Sequence, residues 1–557
     1  MEHLDVLIVG AGLSGIGAGH HIQTTCPWAR YAIFEARGAI GGTWDLFRYP
    51  GIRSDSDMFT LGYSFRPWDG AASIADGDSI LRYIVDTASE SGIDRSIRFH
   101  HRVIQADWHR AEARWHVIAM RSDTGETVEI TCGFLFSCSG YYRYDRGYLP
   151  EFAGMDTFAG TIVHPQNWPE DLDYTGKRVV VIGSGATAVT LVPSLAARAD
   201  HVTMLQRSPT YIASLPANDP VVNVLRRLLP HRLSGPGARW FKALTTQAFY
   251  RLSRHRPTLV KRLLRRQLRA MLPAGYDIDT HFTPSYNPWD QRLCIVPDGD
   301  LFRAIRAGTV TVVTDHVDTF SPNGLLLASG GELEADIIVT ATGLELLFVG
   351  GMELSVDGEA VDIAGKLTYK GMMLEGVPNF AVAVGYTNAS WTLKCELTCD
   401  YVARLLNRMR AKGTPQCTPT NSDPTVVAQP LLPLSAGYVL RSADRFPKQG
   451  SAYPWQVHQS YLSDFIAMKL RRIDDPAMVF SAPDPGQAAD SGLSADSGLS
   501  ADPGLSADGP AGRANPRNDI ADGMHEERSD AHTNNGDRPG DGGGRLAPDR
   551  RQRTRAG

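Results

Sequence analysis

LDVLIVGAGLSGIGAGHHIQTTCPWARYAIFE, residues 4–35, decides the fold. Residues 4–9 are a short apolar run of strand type. Gly10-Ala11-Gly12-Leu13-Ser14-Gly15 follows and opens a helical pattern through about Thr25. The next strand, Tyr31–Phe34, ends on Glu35, 20 residues after Gly15. Strand, GxGxxG, helix, strand and acid at that offset make a βαβ dinucleotide fingerprint. Gly10 permits the tight turn. Gly12 lets backbone approach a pyrophosphate at the helix N-terminus, where unpaired N–H groups and the dipole favour anions. Gly15 lets the helix pack on the strand. Glu35 can accept from ribose hydroxyls, which favours FAD or NAD over NADP.

The pattern recurs. Residues 177–182 (KRVVVI) form a strand, and Gly183-Ser184-Gly185-Ala186-Thr187-Ala188 gives GxGxxA, followed in the same helix by Val189. The strand His201–Leu205 ends in Gln206-Arg207-Ser208, so Arg207 falls 19 residues after Ala188, where the first site has Glu35. An acid there would repel a 2′-phosphate; an arginine offers it a bidentate fork. This site reads as NADP(H). Pro193 should shorten or kink its helix. Phe134–Ser137, leading to Ser139-Gly140, and Ile337–Thr340, leading to Ala341-Thr342-Gly343, resemble return strands that complete the two sheets.

These features give an α/β chain with two Rossmann-like dinucleotide-binding domains. The NADP domain is inserted in the FAD domain, and hydride passes between the two nucleotides. The expected division is 1–147 for the first part of the FAD domain and 148–330 for the NADP domain. A helical, basic insertion occupies 212–290, the second part of the FAD domain covers 331–479, and 480–557 is a disordered tail. From residue 481 onward there is no aromatic residue, and the stretch has three near-copies of ADSGLS at 489–506 and 13 acids against 9 arginines. Such a segment cannot bury enough apolar surface to order itself.

The 557 residues carry a net charge of −5, with 43% apolar and 21% charged residues. That composition is globular, and the charge argues against nucleic acid as a partner. Seven scattered cysteines make no disulfide framework and fit a reducing compartment. Cys395 and Cys399 have no nearby histidine, so no metal site is expected. The apolar N-terminus lacks a basic leader, and no apolar window is long enough to cross a membrane. A cytoplasmic location is the expectation.

Residues 220–276 carry 13 Lys/Arg and no acid. Within TLVKRLLRRQLRAML (258–272), Leu259, Leu263, Leu264, Leu268 and Leu272 are spaced as one helical face, with basic residues opposite. Three readings stand open: an insertion packed on the main body, a surface helix in peripheral contact with anionic lipid, or an oligomer contact. The oligomeric state is not legible.

Between the glycine loops, Phe158, Gly160, His164 and Trp168 match at every defined position the FxGxxxHxxxW(P/D) fingerprint of the Baeyer–Villiger monooxygenases. GGTWDLFRYPGIRSD (41–55) resembles that family's second signature. The resemblance spans about residues 1–470. It is particularly close to the ethionamide monooxygenase branch through 41–57, GSGATA (183–188), NPWDQRLCIVP (287–297) and GYTNASWTLK (385–394). It implies a class B flavoprotein with FAD, NADPH and O2, in which a C4a-peroxyflavin converts a small lipophilic ketone to an ester or lactone. Relatives also oxygenate sulfur in thioethers and thioamides.

By the same resemblance Arg292 and Asp55 are the catalytic pair. Ser14, Glu35, Thr43, Trp44, Asp45, Leu46, Asp55 and Val103 match FAD contacts. Arg53, Ser54 and Asp55 lie beside the nicotinamide, with Gly183 to Val189, Arg207 and Ser208 holding the rest of NADP. His164 should couple domain movement and not donate protons. Many relatives have lysine before the active-site arginine, where this chain has Gln291, so Arg207 must carry more of the 2′-phosphate. Two alternatives are an N- or S-oxygenating flavin monooxygenase and a non-catalytic FAD/NADPH-binding redox sensor.

Overall fold

The computed structural model describes residues 1–483. The first sheet is built on β1 (Glu2–Val9), which pairs in parallel with β2 (Tyr31–Phe34) across the crossover helix α1 (Leu13–Thr25). Small helices α2 (Thr43–Leu46) and α3 (Met58–Leu61) and the longer α4 (Gly77–Glu90) follow. Then come β3 (Ile97–Arg98) and a meander of β4 (His101–His109), β5 (Arg114–Arg121) and β6 (Thr127–Ser137). β6 returns parallel to β1, pairing Phe134 with Val6 and Ser137 with Val9. The end of β1 is buried on both faces, as a central parallel strand requires.

The second sheet starts with β7 (Thr161–Val163), β8 (Arg178–Ile182), helix α5 (Ala186–Leu195) and β9 (His201–Gln206). Pro193 lies inside α5, which ends two residues later. The short strand β10 (Ile212–Leu215) precedes helices α6 (Pro220–Leu228), α7 (His231–His255) and α8 (Pro257–Met271). It pairs in parallel with β11 (Cys294–Pro297). β12 (Val310–Thr314) lies beside β9, and Ile337–Thr340 inserts between β8 and β7, all in parallel. Afterwards the chain rejoins the first sheet. Glu353–Val356 pairs with β4, and Phe380–Val382 with β6. The second unit is therefore inserted in the first.

Three boundaries and one helix face differ from expectation. Ile337–Thr340 is the return strand of the second sheet, so the second crossing comes after Thr340 and not at 330/331. The start of the 212–290 segment is strand, because Ile212 pairs with Cys294; helix begins at Pro220. Met478–Ser481 pairs with Gln416–Pro419 and carries the folded body past 479; from residue 484 the expected tail lies outside the described residues. In α8 the buried face is Val260, Leu264 and Leu268, whereas Leu259 and Leu263 are exposed. The inner face meets Tyr211 and Leu293, and the i, i+4, i+8 row starting at Val260 fits that contact.

Two linkers join the units and run side by side. Arg143 N donates to Glu345 O at 2.9 Å, Leu347 N to Tyr141 O at 2.9 Å and Tyr148 N to Gly343 O at 3.1 Å. All seven cysteines are buried and none forms a disulfide. No helix among the described residues is long and apolar enough to cross a membrane.

Candidate active site

Each nucleotide loop is built the same way. Gly10 has φ +102°, and a Cβ there would stand 2.8 Å from Cys138 O, at the end of the return strand β6. Gly183 has φ +135°, and a Cβ there would stand 2.3 Å from Ala341 O, after the second return strand. Both positions need glycine twice over, for the backbone and for the approach. A Cβ on Gly15 would meet Gly10 O at 1.8 Å, so α1 can close on its own loop only there. Gly12 and Gly185 are the N-caps of α1 and α5. Neither helix has a capping side chain, which leaves first-turn N–H groups for an anion.

Both loops open into one cavity of about 1070 Å³. Of the residues expected at FAD, Gly10, Gly12, Ser14, Glu35, Thr43, Trp44, Asp55 and Val103 line it. Gly15 is buried behind the loop. Asp45 and Leu46 do not line it; Asp45 is buried and held by Arg37 at 2.5 Å and Arg48 at 2.7 Å, so it braces the loop. Glu35 Oε2 accepts from Ala11 N–H at 2.7 Å, and Oε1 accepts from Arg37 N–H at 2.9 Å. Burial pushes the Glu35 pKa up against those two bonds. Each oxygen keeps acceptor capacity for a diol. Ser14 is fixed by the helix Trp391–Lys412, where Trp391 Nε1 donates to its Oγ at 2.9 Å.

On the other side Arg53, Ser54, Gly183, Ser184, Gly185, Ala186, Thr187, Val189, Arg207 and Ser208 line the same cavity, while Ala188 is buried. Residues 41–55 bridge the units. Gly41 N donates to Ala11 O at 3.1 Å, and a Cβ on Gly51 would stand 1.8 Å from Ser194 Oγ of α5. The Arg53 guanidinium is committed to Asp300, with Nη1 2.5 Å from Oδ2. Arg207 is exposed and makes no ion pair among the described residues.

Arg292 and Asp55 meet at the junction, Nη1 to Oδ2 3.3 Å. The Arg292 side chain keeps 29% exposure, and it lines the cavity. Its Nε is buried with no partner. Burial works against its charge, yet Tyr141, Tyr438, Asp55 and Tyr142 around it outweigh that and raise its pKa. Burial raises the phenols in turn, Tyr438 to about 12. They stay protonated near neutrality and can donate.

The fingerprint residues stand apart from the cavity. Phe158 packs between the sheet and Phe320, and a Cβ on Gly160 would stand 2.4 Å from Asp336 O. Trp168 is core, edge-on to Tyr174 with ring centroids 6.4 Å apart. His164 Nδ1 accepts from Gln166 N at 3.2 Å, which leaves Nε2–H to donate to Gly343 O at 3.3 Å. Burial lowers its pKa. Gln166 Nε2 donates to Arg143 O and Tyr144 O at 2.9 and 3.0 Å. This motif grips both linkers.

Sequence reasoning missed several cavity residues. Tyr141 and Tyr142 directly follow the Ser139-Gly140 return, a signal that was available, and Trp391 sits in the 385–394 stretch. Tyr438 and Arg441 carry no local signature. The Arg441 guanidinium lies 3.4 Å over the Tyr148 ring. Burial lowers its pKa, and Arg207 nearby adds to the depression. His109, Glu112 and His116, at the β4–β5 turn, are grouped closely enough to hold a metal ion, which the cysteine-based reading did not foresee. His109 already meets Asp107 at 3.1 Å and His116 meets Glu112 at 3.2 Å, and none of the three lines the cavity.

The sequence profile of the flavin-binding monooxygenase-like family matches residues 69–356, just over half of the chain. The chain is 54% identical over 481 residues to the FAD-containing monooxygenase EthA of Mycobacterium tuberculosis, covering 86% of this chain and 98% of that one. It is 52% identical over 481 residues to EthA of Mycolicibacterium smegmatis, covering 86% and 97%. Its fold is similar to a steroid monooxygenase solved with NADP, with TM-score 0.70 and 22% identity over 86% of this chain and 100% of that chain.

Proposed function

Because the chain belongs to the flavin-binding monooxygenase-like family, we propose that it is a Baeyer–Villiger monooxygenase converting small lipophilic ketones to esters or lactones. It is a flavin-dependent monooxygenase with FAD and NADPH as cofactors. The residues present fit both. Two glycine cradles would be filled by any Cβ, two helix N-termini lack caps, and Arg292 Nε is a buried donor without a partner. The observation that carries the reading is that both loops open into the one cavity that holds Arg292 and Asp55.

FAD and NADPH supply the reducing equivalents and the activation of O2. The chain's own residues do the rest. Glu35 binds the ribose of FAD by accepting from its hydroxyls. Arg207 and Arg441 bind the 2′-phosphate of NADPH, with Arg441 supplying the second cation that Gln291 does not. The carbonyl oxygen of a ketone becomes anionic as oxygen adds to its carbon. Arg292 places a fixed cation against that charge, and a preformed charge in a water-poor site is worth far more than one in solvent. Asp55 orients the guanidinium, and Tyr141, Tyr142 and Tyr438 exclude water around it. His164 stays neutral and ties the fingerprint to the linker at Gly343, so it transmits domain position and not protons.

The test offers purified FAD-loaded protein a ketone and a thioether together, with NADPH and O2. Ester or lactone is the expected product, with sulfoxide as a second product. Sulfoxide alone would assign the chain to the sulfur-oxygenating readings. NADPH oxidation that yields only hydrogen peroxide would overturn oxygenation of either kind.

A further inference from the structure

We propose that the outer faces of α6, α7 and α8 form a docking surface for an anionic lipid bilayer. Apolar side chains would enter the interface and arginines would meet the lipid phosphates.

The helices are anchored by their other faces. Val222 of α6 and Ala238 of α7 pack with Phe59, and the buried Arg239 pairs with Glu396 and donates to Thr60 O and Gly62 O. Val260 and Leu264 of α8 pack with Leu293. What remains faces outward and carries exposed apolar side chains. On α6, Val221, Val224 and Leu228 recur at steps of three and four, so they share one face, and Leu228 is 76% exposed. On α7, Leu244 and Leu252 are exposed, about two turns apart. On α8, Leu259 and Leu263 are exposed at i and i+4, with Arg262 and Arg266 exposed beside them. Three successive helices with outward apolar rows mark an interaction surface.

Charge selects the occupant. Residues 220–276 contain 13 basic residues and no acid. Arg239, Lys242, Arg254 and Arg265 are paired with carboxylates outside the segment. Arg227, Arg232, Arg251, Arg256, Arg262 and Arg266 are exposed, with no ion pair among the described residues. Two copies of such a face would repel one another, whereas an anionic leaflet attracts it. None of these helices is long and apolar enough to cross a bilayer, so they lie in its plane. The surface backs onto α3, which α7 contacts, and onto Leu293; these adjoin Asp55 and Arg292. A bilayer-bound enzyme would draw lipophilic substrate from the leaflet. That clause rests on the ketone-oxygenating reading; the lipid contact does not.

The experiment is co-sedimentation of the full-length, FAD-loaded protein with vesicles. One set is phosphatidylcholine alone, and the other is equal parts phosphatidylcholine and phosphatidylglycerol. Binding is expected on the anionic vesicles only, with release by salt. Arg262→Glu with Arg266→Glu, and separately Leu259→Ser with Leu263→Ser, should each weaken it by roughly tenfold or more. Thermal midpoint and NADPH oxidation should be unchanged in both. Equal binding to both vesicle types, binding to neither, or undiminished binding by both variants would overturn the proposal. So would a lipid-free dimer that the leucine variant abolishes, since the face would then join two copies. Vesicle binding with no ketone turnover would leave this proposal standing and remove the ketone reading.

Discussion

Asp55 and Arg292, 237 residues apart in sequence, meet at 3.3 Å, and the neighbouring contact reverses their charges. Arg53, two residues before Asp55, pairs with Asp300, beyond the strand that follows Arg292. The first unit thus gives a cation and an anion at 53 and 55. The second answers with a cation at 292 and an anion at 300. The Arg292 guanidinium is partly free, whereas that of Arg53, which also lines the cavity, is committed to Asp300.

Removal of the free guanidinium should separate reduction from oxygenation. Arg292→Ala is expected to keep NADPH-dependent bleaching of the flavin and to lower product formation by roughly a hundredfold or more. Rapid-mixing absorbance followed by product analysis on one preparation checks both arms. Ester formation near the wild-type rate would end the assignment.

The 2′-phosphate should be read by two arginines. Arg207→Asp and Arg441→Ala should each raise the NADPH KM far more than the NADH KM. Gln291→Lys should widen the preference for NADPH. Steady-state kinetics with both nucleotides decide it, and parallel changes in the two KM values would place these side chains away from the phosphate.

Two glycines at loop ends should behave oppositely. Gly15→Ala puts a Cβ 1.8 Å from Gly10 O and should cost about 3 kcal/mol or more, with loss of bound FAD. At Gly185 a Cβ meets nothing within 4 Å, and this glycine lines the cavity. Gly185→Ala should therefore keep the wild-type thermal midpoint and raise the NADPH KM. Thermal melts beside kinetics distinguish the two.

Acid should weaken the fold through His20. Its ring stacks on Phe65 with centroids 3.5 Å apart. Burial, with His21 adding, lowers its pKa from 6.5 to about 4. Between those values the unfolded chain holds a proton that the fold refuses, so stability falls as pH drops through that window. Solvent screening of the half-buried ring leaves a loss of about 1–2 kcal/mol. Urea midpoints at neutral pH and inside the window should show it, and His20→Gln should flatten the slope.

What could be read in the sequence was local. Gly10 and Gly183 announce their loops because only glycine satisfies both φ and approach, Gly15 because only glycine fits the approach, and Glu35 and Arg207 follow at the offset of one crossover. The junction was legible only by resemblance, since Asp55 and Arg292 belong to different units. Tyr438 and Arg441 reach the cavity from a late segment with no motif of its own. The α8 face was misread in part for a simple reason: leucines occupy its outside as well as its inside, so periodicity alone merged the exposed Leu259 and Leu263 with the buried Leu264, Leu268 and Leu272 and passed over Val260. The crossing at Thr340 was placed early because composition does not change there.

The paired linkers make the second unit a cassette. The chain enters it at Tyr148 and leaves it at Gly343, and these two positions share a hydrogen bond of 3.1 Å. A turn of a few residues could close that gap. The second unit could then be exchanged as one block, or deleted, without cutting a strand of the sheet built on β1.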